Sequence, residues 1–130
     1  MTRGVVPIEK EEQQVVVDFL EVNGLMFSAT AQSTYTTSPK QKRTNYQMGV
    51  RPGLPDLIIH IPPSKSADKK GWIVFLEMKR SVKSLSKVSK EQQAWVNAAN
   101  DSDCIGIIGY GATDALEQLT KFLTIDTEIF

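Results

Sequence analysis

Apolar and polar positions recur with two different periods along this 130-residue chain, and the two periods predict seven elements. Three segments repeat apolar residues at helical spacing, and four short apolar runs lie between turn-forming residues. The pattern predicts helices at 7–23, 89–100 and 113–123, and strands at 25–29, 56–61, 72–79 and 104–109. We expect an α/β fold in which helices flank both sides of a small mixed sheet, within one domain that spans residues 1–130.

Residues 30–51 fit neither period, and they contain no acidic residue. An irregular stretch of this length is uncommon in a compact domain and is usually functional or disordered. Its basic and aromatic side chains could contact phosphates and bases of a nucleic acid, although a merely mobile loop would account for the same composition. The side chains concerned are Tyr35, Lys40, Lys42, Arg43 and Tyr46.

Composition and charge narrow the classes of function. No apolar run approaches the roughly 20 residues that span a bilayer. Cys104 is the only cysteine, so we expect a reducing compartment, the cytoplasm. The net charge is zero, but residues 22–90 carry twelve basic groups against three acidic ones, net +9. Such a concentration is the expected footprint for a polyanion, although lysines that solvate a surface would produce it too; the further candidates for nucleic-acid contacts are Arg51, Arg80, Lys83 and Lys87.

Three charged residues lie at the ends of two predicted strands. Glu77 and Lys79 are two residues apart, so they point to the same face, and Asp56 begins the preceding strand. Charges so close to a core cost free energy unless they are paired or bind a metal. The two carboxylates and the backbone carbonyl of Met78 could hold Mg²⁺, and Lys79 could orient or deprotonate a water. A lone Glu-x-Lys is usually a surface ion pair, but the combination predicts a metal-dependent phosphodiesterase.

Three segments in a fixed order resemble the VRR-NUC (virus-type replication-repair nuclease) domain, which belongs to the PD-(D/E)xK nuclease superfamily. They are Gly49–Asp56, Phe75–Lys79 and Ser89–Trp95, and the resemblance extends from Glu9 to about Phe122. It implies a restriction-endonuclease-like core that cleaves DNA phosphodiester bonds with Mg²⁺ or Mn²⁺. Asp56 and Glu77 would be metal ligands, and Lys79 would be the catalytic lysine.

The resemblance also implies a biological setting. Stand-alone members of the family are associated with phages and bacteria, and are regarded as structure-selective enzymes, similar to Holliday-junction resolvases, that act as homodimers. We therefore expect branched DNA as the partner, no membrane, and the cytoplasm of a bacterium or a phage-infected host. Two symmetric cuts suit a two-fold dimer, and the apolar tail at 122–130 could pack against a partner or fold onto its own domain.

Two further site residues follow from the resemblance. Gln92 matches a family glutamine that would approach the lysine and the water, but Ser89 and Gln92 also have the spacing of a helix capping box, and the two roles compete for one side chain. Glu9 matches an acidic residue that could hold a second metal or its water. Glu11 and Glu12 leave that register open, because all three acids also complement the helix dipole.

Other features have simpler interpretations. Trp72, Trp95 and Cys104 are interpreted as core residues, and Gly109-Tyr110-Gly111 as a tight turn. Two alternative functions remain open at this point. The chain could be a non-catalytic nucleic-acid-binding module that retains the nuclease fold, or a nuclease that acts on RNA.

Overall fold

The computed structural model of the protein describes residues 6–30 and 37–124. Its helices and strands, in chain order, are α1 (Glu9–Val22), β1 (Met26–Ala29), α2 (Pro39–Gln47), β2 (Leu57–Ile61), β3 (Trp72–Lys79), α3 (Lys90–Asp101), β4 (Ile105–Tyr110) and α4 (Gly111–Thr120). All seven predicted elements are present, with ends that differ from the prediction by no more than three residues.

The four strands form one mixed sheet in the order β1-β2-β3-β4. β2 runs antiparallel to both β1 and β3, and β4 runs parallel to β3. A parallel pair needs a crossover connection, which α3 supplies between β3 and β4. The predicted small mixed sheet is confirmed.

Helices cover both faces of this sheet. α1 and α4 pack on one face and share a buried cluster with it, which includes Val16, Leu20, Leu57, Ile59, Leu76, Met78, Ile107, Ala115 and Leu119. α3 packs on the other face, where the backbone at Val96 leaves no room for a side chain at Gly106. Residues alternate along β3, so Glu77 and Lys79 point away from the apolar cluster and towards the α3 layer. Glu77 and Lys79 are therefore shielded from solvent on the side of the sheet where α3 packs.

The polar segment at 30–51 contains a helix, so its prediction as an irregular stretch was wrong. Ser38 caps α2 through its hydroxyl, which accepts from the Gln41 amide at 3.2 Å, and Pro39 occupies the first turn. The Gln41 side chain also donates to Asn45 one turn later, at 2.7 Å. No residue of α2 is buried, and a helix without an apolar stripe leaves no periodic signal. Residues 31–36, which include Tyr35, lie outside the described residues.

Two predicted core residues are in fact partly or largely accessible. Cys104 is only half-buried and immediately precedes β4, and Trp95 on α3 is 38% exposed. Trp72 does pack against the core, edge-on to Phe122. None of the helices within 6–30 and 37–124 is long and apolar enough to cross a membrane.

The segment after α4 is attached to the turn between β2 and β3. Leu123 forms a bridge with Ser66, and the amide of Thr124 donates to the Lys65 carbonyl at 2.8 Å. This attachment lies at the end of the sheet where β2 finishes and β3 starts. Of the apolar tail at 122–130, residues 125–130 lie outside the described residues.

Candidate active site

The register of β2 and β3 brings two carboxylates to the opposite end of the sheet. Leu57 pairs with Leu76, so the next positions along the two strands are Asp56 and Glu77. Directly opposite residues of an antiparallel pair share a face. The Asp56 carboxylate, through Oδ2, accepts from the backbone amide of Met78 at 2.7 Å, which fixes the acid against β3.

Glu77 is the centre of the cluster. Its side chain is 4% exposed, and Lys79 on the same face is 7% exposed. Oε2 of Glu77 lies 3.8 Å from Nζ of Lys79, while Oε1 is buried and has no hydrogen-bond partner among the described residues. A buried carboxylate oxygen without a partner costs free energy. Such an oxygen is expected where a ligand completes the site.

The raised pKa of Glu77 also shows that its negative charge is not fully compensated by neighbouring groups. Burial is the largest cause that raises the pKa of Glu77, and the nearby charge of Asp56 raises it by more than Lys79 lowers it, so that the pKa is about 8. Glu9 adds a smaller repulsion in the same direction. Perturbed carboxylates of this kind cluster at functional sites, because burial and like charges are brought together there.

Gln92 joins this cluster from the first turn of α3. Its Oε1 accepts from the backbone amide of Ser89 at 2.9 Å, and the Ser89 hydroxyl accepts from the Gln92 amide at 3.0 Å, which completes a capping box. Its Nε2 donates to Oε2 of Glu77 at 3.2 Å. The cap and the bond to Glu77 do not compete for the side chain, because they use the acceptor and the donor of one primary amide. The cap orients the donor towards Glu77.

A glycine in the loop before Asp56 sets the distance between that loop and α3. Gly53 has φ +90°, and a Cβ there would lie 2.5 Å from the Glu91 carbonyl carbon. Only glycine fits both the backbone angle and the space. The sequence analysis did not assign Gly53 a role, although a glycine three residues before the acid in Gly-Leu-Pro-Asp is a signal for a special backbone conformation.

Glu9 is the acid of the first helix that lies nearest to the cluster. It lines a cavity of about 480 Å³ together with Asp56, Thr30 and residues of α1. Glu11 accepts from the Ile8 amide at 3.0 Å, and Glu12 accepts from the Ala112 amide at 3.2 Å, so both have structural partners. The geometry therefore favours Glu9 among the three candidates.

The donor set suits a hard divalent cation. Two carboxylates, from Asp56 and Glu77, lie together, and Oε1 of Glu77 lacks a partner among the described residues. Oxygen donors of this kind are those that Mg²⁺ and Mn²⁺ prefer. Within 6–30 and 37–124, no three side chains from His, Cys, Asp and Glu group closely enough to hold an ion by themselves. An ion here would depend on two protein carboxylates, with water or substrate oxygens in addition.

The predicted nucleic-acid contacts differ in their exposure and in their partners. Lys40, Lys42 and Arg43 are exposed on α2, and Lys87 is exposed before α3. Arg80 is half-buried, and its guanidinium donates to the carbonyls that precede α1, so it already has structural partners.

Two other predicted contacts are cations stacked on aromatic rings. The Arg51 guanidinium lies 3.6 Å from the centre of the Tyr46 ring, and Nζ of Lys83 lies 4.8 Å from that of Tyr110. Each cation has its aliphatic chain ordered by the ring and remains exposed. Both are therefore held in place at the surface.

The protein has an α/β fold, and Asp56, Glu77 and Lys79 form a charged site at the end of the mixed sheet where β3 finishes, which we call the open end. A solved structure described as a VRR_NUC domain protein has a similar fold, with a TM-score of 0.60 over 93% of this chain and 90% of that one. The two sequences are 19% identical, so the similarity concerns the fold. No family model and no curated protein matches the chain.

Proposed function

We propose that the protein is a metal-dependent endonuclease that hydrolyses DNA phosphodiester bonds. The observation that carries the proposal is the buried Glu77 carboxylate, which lies beside Asp56, Lys79 and Gln92 and has one oxygen without a partner in the part of the chain that the structure describes. The fold shared with a VRR_NUC domain protein supports the same assignment. A phosphodiester reaction is the chemistry to which two acids, a lysine and a divalent cation are suited.

The residues of the site would divide the work. Asp56 and Glu77 would hold the cation, with the Met78 carbonyl as a neutral ligand. Mg²⁺ or Mn²⁺, when bound, would polarise the scissile phosphodiester and make a nearby water more acidic. Lys79 would orient that water and offset the negative charge that develops on the phosphate. Gln92 would hold Glu77 in one orientation, and Glu9 would bind a further water or a second ion.

Activity on labelled substrates tests the proposal. Forks, flaps, four-way junctions and plain duplexes of DNA, with matching RNA, are incubated with Mg²⁺ or Mn²⁺. We expect nicking of DNA that requires the cation. Lys79→Ala should abolish it, by at least about 1,000-fold, while Mn²⁺ binding measured by calorimetry persists. Asp56→Ala should lose both, whereas Lys121→Ala and Asp101→Ala, which change exposed residues, should lose neither.

Contrary results are equally clear. Cleavage at the parental rate by Lys79→Ala or Asp56→Ala would exclude this site. Binding of nucleic acid without any cation-dependent nicking would identify a binding module that retains the fold, and preferential nicking of RNA would reassign the substrate.

We further propose that the enzyme prefers branched DNA and acts as a homodimer. A four-way junction has two symmetric strands to cut, and a two-fold dimer carries two symmetric sites. Sedimentation at micromolar concentration should give twice the 14.5 kDa mass of the chain. A monomeric mass under those conditions would contradict the proposed dimer. Equal cleavage rates on junctions and plain duplexes would contradict the proposed selectivity.

A further inference from the structure

A second cavity lies on the outer face of α3, away from Glu77. It has a volume of about 440 Å³ and is lined by Arg51, Pro52, Glu91, Ala94, Trp95 and Ala98. Sites for small ligands usually measure about 300–1,000 Å³. The cavity could therefore accommodate a group the size of a nucleobase with its sugar.

Trp95 is the main apolar surface of this cavity. The indole is 38% exposed, although the neighbouring Val96 and Ala99 are buried against the sheet. Ala94 and Ala98 flank it with minimal side chains, and all four residues that α3 contributes are exposed. A partly exposed tryptophan between small residues presents a flat surface for stacking.

The polar groups around the indole suit a nucleotide. The Glu91 carboxylate can accept from the amino group of a base, as carboxylates do in base recognition. Arg51 lies at the rim with its guanidinium already ordered on the Tyr46 ring, where it can contact a phosphate. α2, which ends at Gln47 shortly before this loop, is basic and has no acidic residue. A polyanion would meet positive charge on approaching the cavity.

The cavity is also connected to the candidate active site. Glu91 precedes Gln92, whose amide bonds to Glu77, and Pro52 precedes Gly53, which packs against the start of α3. A nucleotide in the cavity would thus lie within one turn of helix from the groups assigned to catalysis.

We propose that this cavity binds an unpaired nucleobase of the nucleic acid, stacked on Trp95. The inference rests on the proposed function for the choice of a nucleic acid as ligand. It gives a physical basis for selectivity, because a plain duplex offers no unstacked base, whereas branch points and bulges do. The Glu91 acceptor would favour adenine, cytosine or guanine over thymine, which has no amino group.

Binding without cleavage tests the inference. Fluorescence anisotropy in EDTA compares a labelled duplex with the same duplex carrying one unpaired adenine. We expect the wild-type protein to prefer the bulged duplex by about tenfold, the contribution of one base–aromatic stack. Trp95→Ala should abolish this preference, and Trp95→Phe should retain most of it. Val22→Ala, which truncates an exposed residue at the end of α1, should have no effect.

A second readout reports on the base itself. With 2-aminopurine as the unpaired base, stacking on the indole should quench its fluorescence in the wild-type complex and not in the Trp95→Ala complex. Glu91→Gln should reduce the preference for adenine over thymine at the bulge.

The possible failures are distinguishable. Loss of bulge preference in Trp95→Ala supports the inference even if no substrate is ever cut, because cleavage plays no part in the measurement. Unchanged preference in Trp95→Ala overturns the inference and leaves the proposed nuclease intact. Trp95→Ala could also change the sedimentation of the protein and leave its preference for the bulged duplex unchanged. That result would show that a second copy of the chain covers this face, and it would overturn the inference.

Discussion

The open end of the sheet and helix α2 both carry concentrated charge, but they hold it in opposite ways. At the sheet end, Glu77 and Lys79 are almost fully buried, and hydrogen bonds fix Asp56 and Gln92 around them. On α2, every basic side chain is exposed and no residue is buried. The first region keeps its groups in one geometry at a cost in stability, and the second adds positive charge at almost no cost.

This difference indicates which part of a nuclease reaction each region is suited to. Chemistry on a phosphodiester requires groups that are already positioned before the substrate arrives, so it belongs in the buried region. Attraction of a polyanion requires only the sign and density of charge, so exposed lysines suffice. Substitutions in the two regions should therefore have effects of different kind as well as of different size.

After Asp56, Glu77 and Lys79, Gln92 should show the largest effect on cleavage, because it connects the cap of α3 to the buried acid. Gln92→Glu keeps an acceptor for the Ser89 amide but replaces the donor to Glu77 with a second carboxyl group. We expect the rate of DNA cleavage to fall by about 100-fold. Gln92→Ala should lose a similar factor in rate and also about 1 kcal/mol of the free energy of unfolding, because the Ser89 amide loses its acceptor while the Ser89 hydroxyl still caps the helix.

The neighbouring Gln93 provides a matched control. It is exposed, and its side chain donates to Asn97 on the outer surface of the same helix. Gln93→Ala should keep the parental cleavage rate. A parental rate in Gln92→Glu would show that the bond to Glu77 has no role in the reaction.

Glu77 should make the metal-free protein less stable as the pH rises. Its pKa is raised from the ordinary 4.5 to about 8, so the folded chain binds a proton that the unfolded chain has already released between these values. Stability from this group is therefore complete below about pH 4.5 and is lost as the pH approaches 8. In EDTA, urea unfolding at pH 5 and pH 9 should differ by on the order of 4 kcal/mol more in the wild type than in Glu77→Gln.

The exposed Glu117 serves as the comparison for this measurement. Glu117→Gln should leave the dependence on pH unchanged. If wild type and Glu77→Gln lost stability equally between pH 5 and pH 9, the buried acid would not be the source of the loss.

Helix α2 should show the smallest effect on the fold and a graded effect on binding. Replacement of Lys40, Lys42 and Arg43 by Ala should change the free energy of unfolding by no more than about 0.5 kcal/mol, since all three are exposed. Affinity for plain duplex should fall, and the slope of log K against log salt should decrease by about one for each phosphate contact removed. An unchanged slope would exclude α2 from the nucleic-acid interface; Lys121→Ala is the control.

The sequence was sufficient to predict the parts of this molecule that depend on burial. Strand periodicity predicted β2 and β3, and it placed Glu77 and Lys79 on one face, because alternation is a property of every strand. Asp56 could be placed opposite Glu77 only once the hairpin register was known, although the resemblance to VRR-NUC domains implied that the two acids act together. Their roles in catalysis and metal binding stay predictions.

What the sequence did not predict depends on contacts without a periodic pattern. α2 has a cap and side-chain pairs but no apolar stripe, so hydrophobic periodicity could not detect it. Trp95 was assigned to the core although it is 38% exposed, because only the packing of α3 shows which side of that helix faces the sheet. The double role of Gln92 required the positions of both of its amide atoms.

The attachment of Leu123 to Ser66 has a practical consequence for experiments on single molecules. This contact lies at the far end of the strands from Asp56, whereas Arg80 binds the chain just before α1 close to the candidate site. A tether or fluorophore joined through the exposed Lys121 would leave that site facing the solution. A tether joined at Val6 or Pro7, whose carbonyls accept from Arg80, would lie closer to the site, so immobilisation through the α4 side is the better choice.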